Sequence, residues 1–182
     1  MKFLKYFFIF VFACIILGAA SIYGMYKYVE PQLPDVATLK DVRLQTPMQV
    51  FSADGELMAQ YGEKRRLPLT LQEMPPQLIN AFIATEDTRF REHHGIDPIG
   101  ISRAVVVALT SGQASQGAST ITQQLARNFF LTPEKKLMRK IKEAFLAIRI
   151  EKELTKDEIL ALYLNKIYLG NRAYGVGAAA YV

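Results

Sequence analysis

The sequence contains few of the residues that build disulfides and metal cages. Its single cysteine, Cys14, lies within an apolar run, so no disulfide can form within the chain. Its two histidines, His93 and His94, are neighbours, and together with one cysteine they cannot supply a Cys/His metal cage. Internal repeats and low-complexity tracts are also missing. The 182 residues allow one core of ordinary size plus an accessory segment, so two full domains are not expected.

Charged side chains are absent from residues 6–26. About twenty helical residues, each rising ~1.5 Å, span the roughly 30 Å hydrocarbon core of a bilayer. Lys2 and Lys5 precede the run, which places the N-terminus in the cytoplasm. The sequence therefore predicts a cytoplasmic tail over residues 1–5 and a single-pass anchor over residues 6–26. A cleaved signal peptide is the alternative, although the run is longer than the apolar core of an ordinary signal peptide.

The chain carries a formal net charge of +5, which favours an anionic partner. A phosphate-bearing substrate, a lipid headgroup surface and nucleic acid all satisfy this preference. The charge alone does not choose among them.

The segment after the anchor differs in character from the rest of the chain. Residues 27–74 are polar and contain several prolines, so they predict an extended linker. Within this linker, residues 49–61 predict a small β-hairpin around the Asp54-Gly55 turn. Residues 75–182 show helical periods separated by loops, so the fold class is mainly α.

Five helices are predicted in this last region. The first four cover residues 77–91, residues 99–109, a stretch that Ser119 or Thr120 caps and that ends near 131, and residues 134–154. The fifth begins at Thr155, where Glu158 completes a capping box, and stops at Gly170. Residues 110–117 are rich in Gly, Ser and Gln and predict a loop.

A carboxylate interrupts the apolar side of the first of these helices. On a helical wheel, Glu86 lies near the middle of an arc that includes Phe82 and Phe90, whereas Asp87 lies outside it. Burial disfavours the charged form of a carboxyl group, so we expect a raised pKa for Glu86, which suits proton transfer near neutral pH. A frayed helix end or a buried arginine partner would explain the same position without catalysis.

The third predicted helix has one polar face. Thr120, Gln123, Gln124 and Arg127 recur at helical spacing and present a hydroxyl, two amides and a guanidinium. These groups suit sugar and phosphate oxygens. An ordinary solvated face is the alternative.

The fourth predicted helix places a carboxylate beside two cations. Arg139, Lys140 and Glu143 lie together opposite the apolar stripe. This group could serve a phosphate leaving group, directly or through a divalent ion. Surface salt bridging is the alternative.

The order of these patterns resembles one known family. Residues 86–95 (EDTRFREHHG) resemble the EDxxFxxHxG motif of the family 51 peptidoglycan glycosyltransferases, and residues 117–124 (GASTITQQ) resemble their GxSTxTQQ motif. Residues 139–143 (RKIKE) resemble RKxxE, and residues 158–170 are similar to a fourth motif. Several motifs in order are more specific than any one of them, and the resemblance covers essentially the whole chain.

The resemblance implies a lysozyme-like α-helical domain that acts on lipid II. The donor in this family is the growing glycan on undecaprenyl pyrophosphate, and the acceptor is the 4-hydroxyl of an incoming lipid II. Attack inverts the anomeric centre and gives a β-1,4 link. By motif position, Glu86 is the catalytic base and Glu143 supports the leaving pyrophosphate together with Arg139 and Lys140.

The resemblance also implies that Glu143 is the metal ligand for a divalent cation, Mg²⁺ or Mn²⁺. The remaining implied roles are as follows: Ser119, Thr120, Gln124 and Arg127 line the donor side, Phe90 and His93 shape the pocket, and Asp87 orients its neighbours and the substrate. Both glutamates are expected to face one cavity that Gln124 and Arg127 also line. The mouth of this cavity should carry exposed apolar residues and open toward the membrane, because the lipid of the substrate stays in the bilayer.

The implied location is the bacterial inner membrane, with the catalytic domain in the periplasm. The implied partners are lipid II, the growing lipid-linked glycan, the membrane and other cell-wall synthesis proteins, and nucleic acid is not among them. Bifunctional members of the family continue into a transpeptidase, but this sequence has neither an SxxK nor a KTG motif. We therefore expect residues 75–182 to be a glycosyltransferase domain truncated at its C-terminus, of uncertain activity and without transpeptidation.

Two other functions fit the same residues. A lysozyme-like or lytic enzyme would share the fold and the helical glutamate, but a neutral glycan does not need the cations Arg127, Arg139 and Lys140. A non-catalytic membrane interaction module is the second alternative. Incubation with lipid II separates the three, because only the synthase makes polymer.

Overall fold

The computed structural model describes residues 2–40, 48–61, 66–112, 117–131 and 136–181. The chain divides into two compact units, Met1–Pro34 and Asp35–Val182. Most of the described residues in both units are helical.

The first unit is dominated by one apolar helix. Helix α1 covers Lys2–Val29, and its 28 residues give a length of about 42 Å. It contains the predicted anchor and is long and apolar enough to cross a membrane. The hydroxyl of Ser21 donates to the Leu17 carbonyl at 2.8 Å, so this polar group is satisfied within the helix. A short 3₁₀ turn follows at Glu30–Gln32.

The second unit begins with short elements in the region predicted as a linker. A 3₁₀ turn covers Val36–Leu39, and another covers Leu71–Glu73. Between them, strand β1 (Met48–Phe51) pairs antiparallel with strand β2 (Leu57–Tyr61). Gly55 in the connecting turn has φ +87°, a conformation that favours glycine.

Six helices form the rest of this unit. They are α2 (Pro76–Glu86), α3 (Pro98–Ser111), α4 (Ile121–Phe130), α5 (Lys136–Glu153), α6 (Lys156–Lys166) and α7 (Val176–Ala179). Helix α4 packs against both α5 and α6. The fully buried side chains of these three helices include Leu125, Leu146, Ile150, Leu160 and Leu164. The core therefore lies between the three helices that carry the second, third and fourth motifs.

Helix α2 ends earlier than the sequence predicted. The prediction continued to residue 91, but the helix stops at Glu86 and Asp87 adopts φ −160°. The following residues form turns, with the Phe90 N–H donating to the Asp87 carbonyl at 2.9 Å. The helical wheel that placed Glu86 and Phe90 on one stripe was therefore wrong. Contacts of Asp87 with distant residues, described below, account for the early end.

Helix α6 also ends earlier than predicted. It stops at Lys166 rather than at Gly170, because Ile167 is extended with ψ 138°. Gly170 instead occupies φ +94° in the next turn. A side chain at Gly175 would lie 2.7 Å from the Asn165 carbonyl oxygen, so the returning chain needs glycine there.

The other boundaries agree closely with the predictions. Helix α3 runs two residues beyond the predicted end, and Gly112 closes it with φ +66°. Parts of several predicted segments lie outside the described residues, including residues 41–47 and 62–65 of the linker, residues 113–116 of the loop and residues 134–135 of the fourth helix.

Candidate active site

Glu86 is the last residue of helix α2 and is half-buried. Its Oε2 accepts a hydrogen bond from the Gln124 side-chain amide on helix α4, at 2.9 Å. The structure thus brings together two residues that the sequence placed in one site. Within the described part of the chain no hydrogen bond to Glu86 Oε1 is found, so a substrate would not have to displace such a bond there.

Asp87 has the buried position that the sequence assigned to Glu86. Its carboxylate oxygens lie 3.0 and 2.9 Å from His93 Nε2, and Oδ2 also accepts the Ile121 N–H at 3.0 Å. Asp87 and His93 are both more than nine-tenths buried. The carboxylate therefore joins the end of α2 to the first turn of α4, and an anion at that helix N-terminus is favourable.

A second contact fixes the first motif against helices α4 and α5. The Thr120 hydroxyl donates to the Gly95 carbonyl at 2.7 Å. Thr120, one of the two predicted caps of this helix, also forms a capping box with Gln123. A side chain on Gly95 would lie 2.7 Å from the Ala147 backbone, so only glycine allows this approach.

The cation cluster of the third motif reaches the second motif. Lys140 Nζ donates to Ser119 Oγ at 2.5 Å and to Glu143 Oε2 at 3.1 Å. Arg139 Nε lies 3.5 Å from Glu143 Oε1. The three side chains lie together as predicted. Glu143 is only 1% exposed, so the alternative of surface salt bridging does not describe it, and the cations compensate the buried carboxylate.

A polar cavity of about 440 Å³ lies beside Glu86. Its walls include Asp87, Ser119 and Thr120 from the motifs. Contrary to expectation, Gln124, Arg127 and Glu143 are not among its lining residues. Two lining residues connect to this group: Glu86 binds Gln124 directly, and Ser119 binds Lys140, which in turn binds Glu143.

Sequence reasoning missed the residues that helix α3 contributes to the cavity. Gly100, Arg103 and Ala104 line it. Arg103 is exposed and is the only charged residue of this helix. The other arginine in the cavity wall, Arg89, is paired with Asp97, so Arg103 is the cavity cation without a partner among the described residues. The isolated positive charge of Arg103 in an otherwise apolar helical segment is the sequence feature that could have identified it.

The opposite side of helix α3 is apolar and open to solvent. Ile99, Val105, Val106 and Leu109 are 51–80% exposed. These residues belong to a helix that lines the cavity but are not among its lining residues, so the expected apolar cavity mouth stays a prediction.

A buried polar network behind the first motif was also missed. Lys156 Nζ donates to the His93 carbonyl and to Glu151 Oε1, both at 2.7 Å, and lies 4.5 Å from the centre of the Phe90 ring. Glu151 in turn accepts the Thr122 hydroxyl at 2.6 Å. Phe90 and His93 therefore contact this network and are not among the residues that line the cavity, so their predicted role in shaping the pocket stays a prediction. The residues of this network are spread over the sequence without a common spacing.

The described residues do not form a complete metal site. No group of three or more His, Cys, Asp or Glu side chains converges in them. Both oxygens of Glu143 already face cations, which would oppose a resident divalent ion. Mg²⁺ commonly keeps several waters and binds one or two carboxylates plus substrate phosphates. These residues therefore fit an ion brought in with a phosphorylated substrate better than an ion held by the protein alone.

Comparison with known proteins gives a consistent result. The family model "Transglycosylase" matches residues 54–182. Penicillin-binding protein 1A of Escherichia coli K12 is 77% identical over 182 residues, which is 100% of this chain and 21% of the relative. Penicillin-binding protein 1A of Vibrio cholerae is 69% identical over 180 residues, 99% of this chain and 22% of the relative. The chain thus spans about a fifth of the length of these curated relatives.

Proposed function

The chain belongs to the transglycosylase family, and from this premise we propose that it is a peptidoglycan glycosyltransferase that polymerises lipid II. The observation that carries the proposal is the position of Glu86, on the wall of a polar cavity and hydrogen-bonded to Gln124 at 2.9 Å. The products are β-1,4-linked glycan and undecaprenyl pyrophosphate. A lysozyme-like arrangement of the helices is part of the same proposal.

Glu86 acts as the general base in this reaction. Its Oε1 removes the proton of the acceptor 4-hydroxyl while Oε2 remains bound to Gln124. The hydroxyl oxygen then attacks the anomeric carbon of the donor, and the bond to pyrophosphate breaks with inversion. General-base assistance of this kind typically accelerates a reaction by about 10²–10⁴-fold.

The cation cluster supports the leaving group. Lys140 binds Ser119, and Arg139 lies beside Glu143. Arg127 follows Gln124 by three residues on helix α4. Charge-assisted hydrogen bonds from these groups would stabilise the negative charge that develops on the pyrophosphate. When Mg²⁺ or Mn²⁺ accompanies the pyrophosphate, it neutralises part of that charge, and Glu143 would hold it.

Helix α3 receives the second substrate. The acceptor lipid II carries its own pyrophosphate, and Arg103 supplies a cation to the cavity wall beside Glu86. The apolar side of α3 would lie against the bilayer, where the lipid of the substrate remains, since moving each CH₂ into water costs ~0.8 kcal/mol. The cavity, on the other side of α3, would then lie close to the membrane surface.

Location and partners follow from the same proposal. Helix α1 would be an uncleaved signal anchor in the bacterial inner membrane, with the N-terminus in the cytoplasm and residues 35–182 in the periplasm. Other cell-wall synthesis proteins are the partners we propose besides lipid II, the growing glycan and the membrane.

Incubation of the detergent-solubilised chain with lipid II tests the proposal. We expect glycan polymer, separated by gel electrophoresis, and its loss in Glu86→Gln. Cleavage of preformed glycan without polymer formation would support a hydrolase instead. Absence of both activities would support a non-catalytic membrane module.

A further inference from the structure

Tyr163 lies beneath the pair formed by Glu86 and Gln124. It belongs to helix α6 and is 0% exposed. Its hydroxyl donates to Gln124 Oε1 at 3.3 Å, and the Gln124 Nε2 donates to Glu86 Oε2 at 2.9 Å. Three helices thus contribute one continuous chain of hydrogen bonds that ends on the carboxylate.

The two ends of the Gln124 side chain are chemically opposite. One end is a carbonyl that only accepts hydrogen bonds, and the other is an amino group that only donates them. An ionised Glu86 can only accept hydrogen bonds. The carboxylate is therefore stabilised when the amino group of Gln124 faces it and destabilised when the carbonyl group does. The orientation of this amide therefore affects whether Glu86 is ready to act as a base.

Tyr163 is suited to select that orientation. Burial raises the pKa of the Tyr163 hydroxyl, the negative charge of Glu86 raises it further, and Arg127 lowers it in part. The hydroxyl therefore stays protonated and can donate. The Phe82 ring packs edge-on at 6.4 Å from the Tyr163 ring and limits its movement.

We infer that Tyr163 is a positioning residue, which holds the Gln124 carbonyl so that the amino end of this amide faces the Glu86 carboxylate. The inference rests on the proposed role of Glu86 as base. Without the hydroxyl, the Gln124 carbonyl loses its partner in partly buried surroundings, and rotation of the amide would turn this carbonyl toward Glu86. The carboxylate form would then become less favourable.

Tyr163→Phe tests the inference because it removes only the hydroxyl. We expect kcat to fall about tenfold at neutral pH, the acid limb of the pH profile to move up by about one pH unit, and KM for lipid II to stay within about twofold. Tyr181→Phe, which removes an exposed hydroxyl, is the matched control and should change nothing. An unchanged pH profile in Tyr163→Phe would overturn the inference.

The Gln124→Ala background separates positioning from packing. If Tyr163 acts through Gln124, then adding Tyr163→Phe to Gln124→Ala should cause no further loss of kcat. If Tyr163→Phe lowers kcat by the same factor in the Gln124→Ala background as in the wild type, or if Tyr163→Phe alone clearly lowers Tm, the role of Tyr163 is structural and the inference is contradicted.

A measurement that does not need turnover distinguishes this inference from the proposed function. In the full chain with ¹³C-labelled tyrosine rings, the Tyr163 resonance should shift as Glu86 ionises, and the shift should vanish in Glu86→Gln and shrink in Gln124→Ala. If the chain makes no polymer but shows this coupling, the proposed function fails and the hydrogen-bond chain stands. If the chain makes polymer without the coupling, the inference fails.

Discussion

Glu86 and Asp87 are adjacent in the sequence but occupy different surroundings. Asp87 is buried and binds His93 Nε2 and the Ile121 N–H, whereas Glu86 is half-buried, lines the cavity and binds Gln124. The extended conformation of Asp87, with φ −160°, separates the two side chains. One carboxylate therefore stabilises the site while the other faces the substrate, and the two should respond differently to substitution.

Replacing Glu86 should affect catalysis and leave the fold intact. Glu86→Gln keeps the side-chain shape and can still accept the Gln124 N–H, but it cannot take up a proton. We expect kcat to fall by about 10²–10⁴-fold while binding of lipid II and Tm remain nearly unchanged. Polymerisation rates and substrate binding in detergent measure this. Activity within about threefold of the wild type would exclude Glu86 as the base.

Replacing Asp87 should mainly lower the free energy of unfolding. Asp87→Ala leaves His93 Nε2 and the Ile121 N–H without an acceptor in buried surroundings, which costs about 1–3 kcal/mol per lost partner. Asp87→Asn should cost less, because its amide oxygen can still accept the Ile121 N–H. Chemical unfolding of both variants provides the comparison. Equal, negligible losses would contradict the assigned role of the carboxylate.

Mg²⁺ should bind only together with a phosphorylated substrate. The two cations beside Glu143 oppose a divalent ion in the free protein, whereas the oxygens of a pyrophosphate would help to hold it. Calorimetry should show no Mg²⁺ binding to the chain alone and measurable binding in the presence of a non-cleavable lipid II analogue. Glu143→Gln should weaken the latter, whereas Glu153→Gln, on the exposed side of the same helix, should not. Tight Mg²⁺ binding without substrate would contradict this expectation.

Arg103 should matter for the acceptor more than for the donor. Arg103→Gln removes the cavity cation that has no described partner, so KM for the acceptor should rise about three- to tenfold. The two roles of lipid II can be separated with one analogue whose 4-hydroxyl is blocked and another whose pyrophosphate cannot leave. Lys152→Gln, an exposed cation on α5, is the control. An equal rise in KM for both analogues would contradict the assignment to the acceptor.

The capping box of helix α6 should make the stability depend on pH. Glu158 accepts the Thr155 N–H and hydroxyl, both at 2.7 Å, and these bonds lower the pKa of its carboxyl group below the usual value. A lowered folded-state pKa stabilises the fold above the unfolded-state pKa, and this contribution is lost as the pH falls through the folded value. Glu158→Gln should therefore be less stable than the wild type near about pH 7 and similar to it near about pH 2. A difference in unfolding free energy that stays constant over this range would contradict the prediction.

Several features of this protein follow from the sequence because their causes are local. The apolar run that forms helix α1 needs no distant partner. The caps at Thr120 and Thr155 depend on residues three positions later. The start at Thr155 was predicted correctly, and Thr120 was one of the two caps predicted for α4. The motifs likewise indicated the family that the comparison confirms.

The ends of helices α2 and α6 were predicted less well. Helical periodicity continues through residue 91, and nothing nearby in the sequence stops it. The end at Glu86 follows from hydrogen bonds between Asp87 and residues up to 34 positions away. Propensity and spacing carry no information about such contacts.

What only the tertiary structure decided is which polar group is buried and what it binds. Periodicity placed Glu86 toward the core and Glu143 opposite the apolar stripe of its helix, but Asp87 and Glu143 are buried and Glu86 is only half-buried where α4 packs against α5 and α6. The same packing brings Tyr163 to Gln124, 39 positions away. The sequence alone determines which face of a helix is apolar. The partners of a buried charge depend instead on where distant helices meet, because a charge is tolerated in the interior only where neighbouring helices supply its hydrogen bonds or an opposite charge.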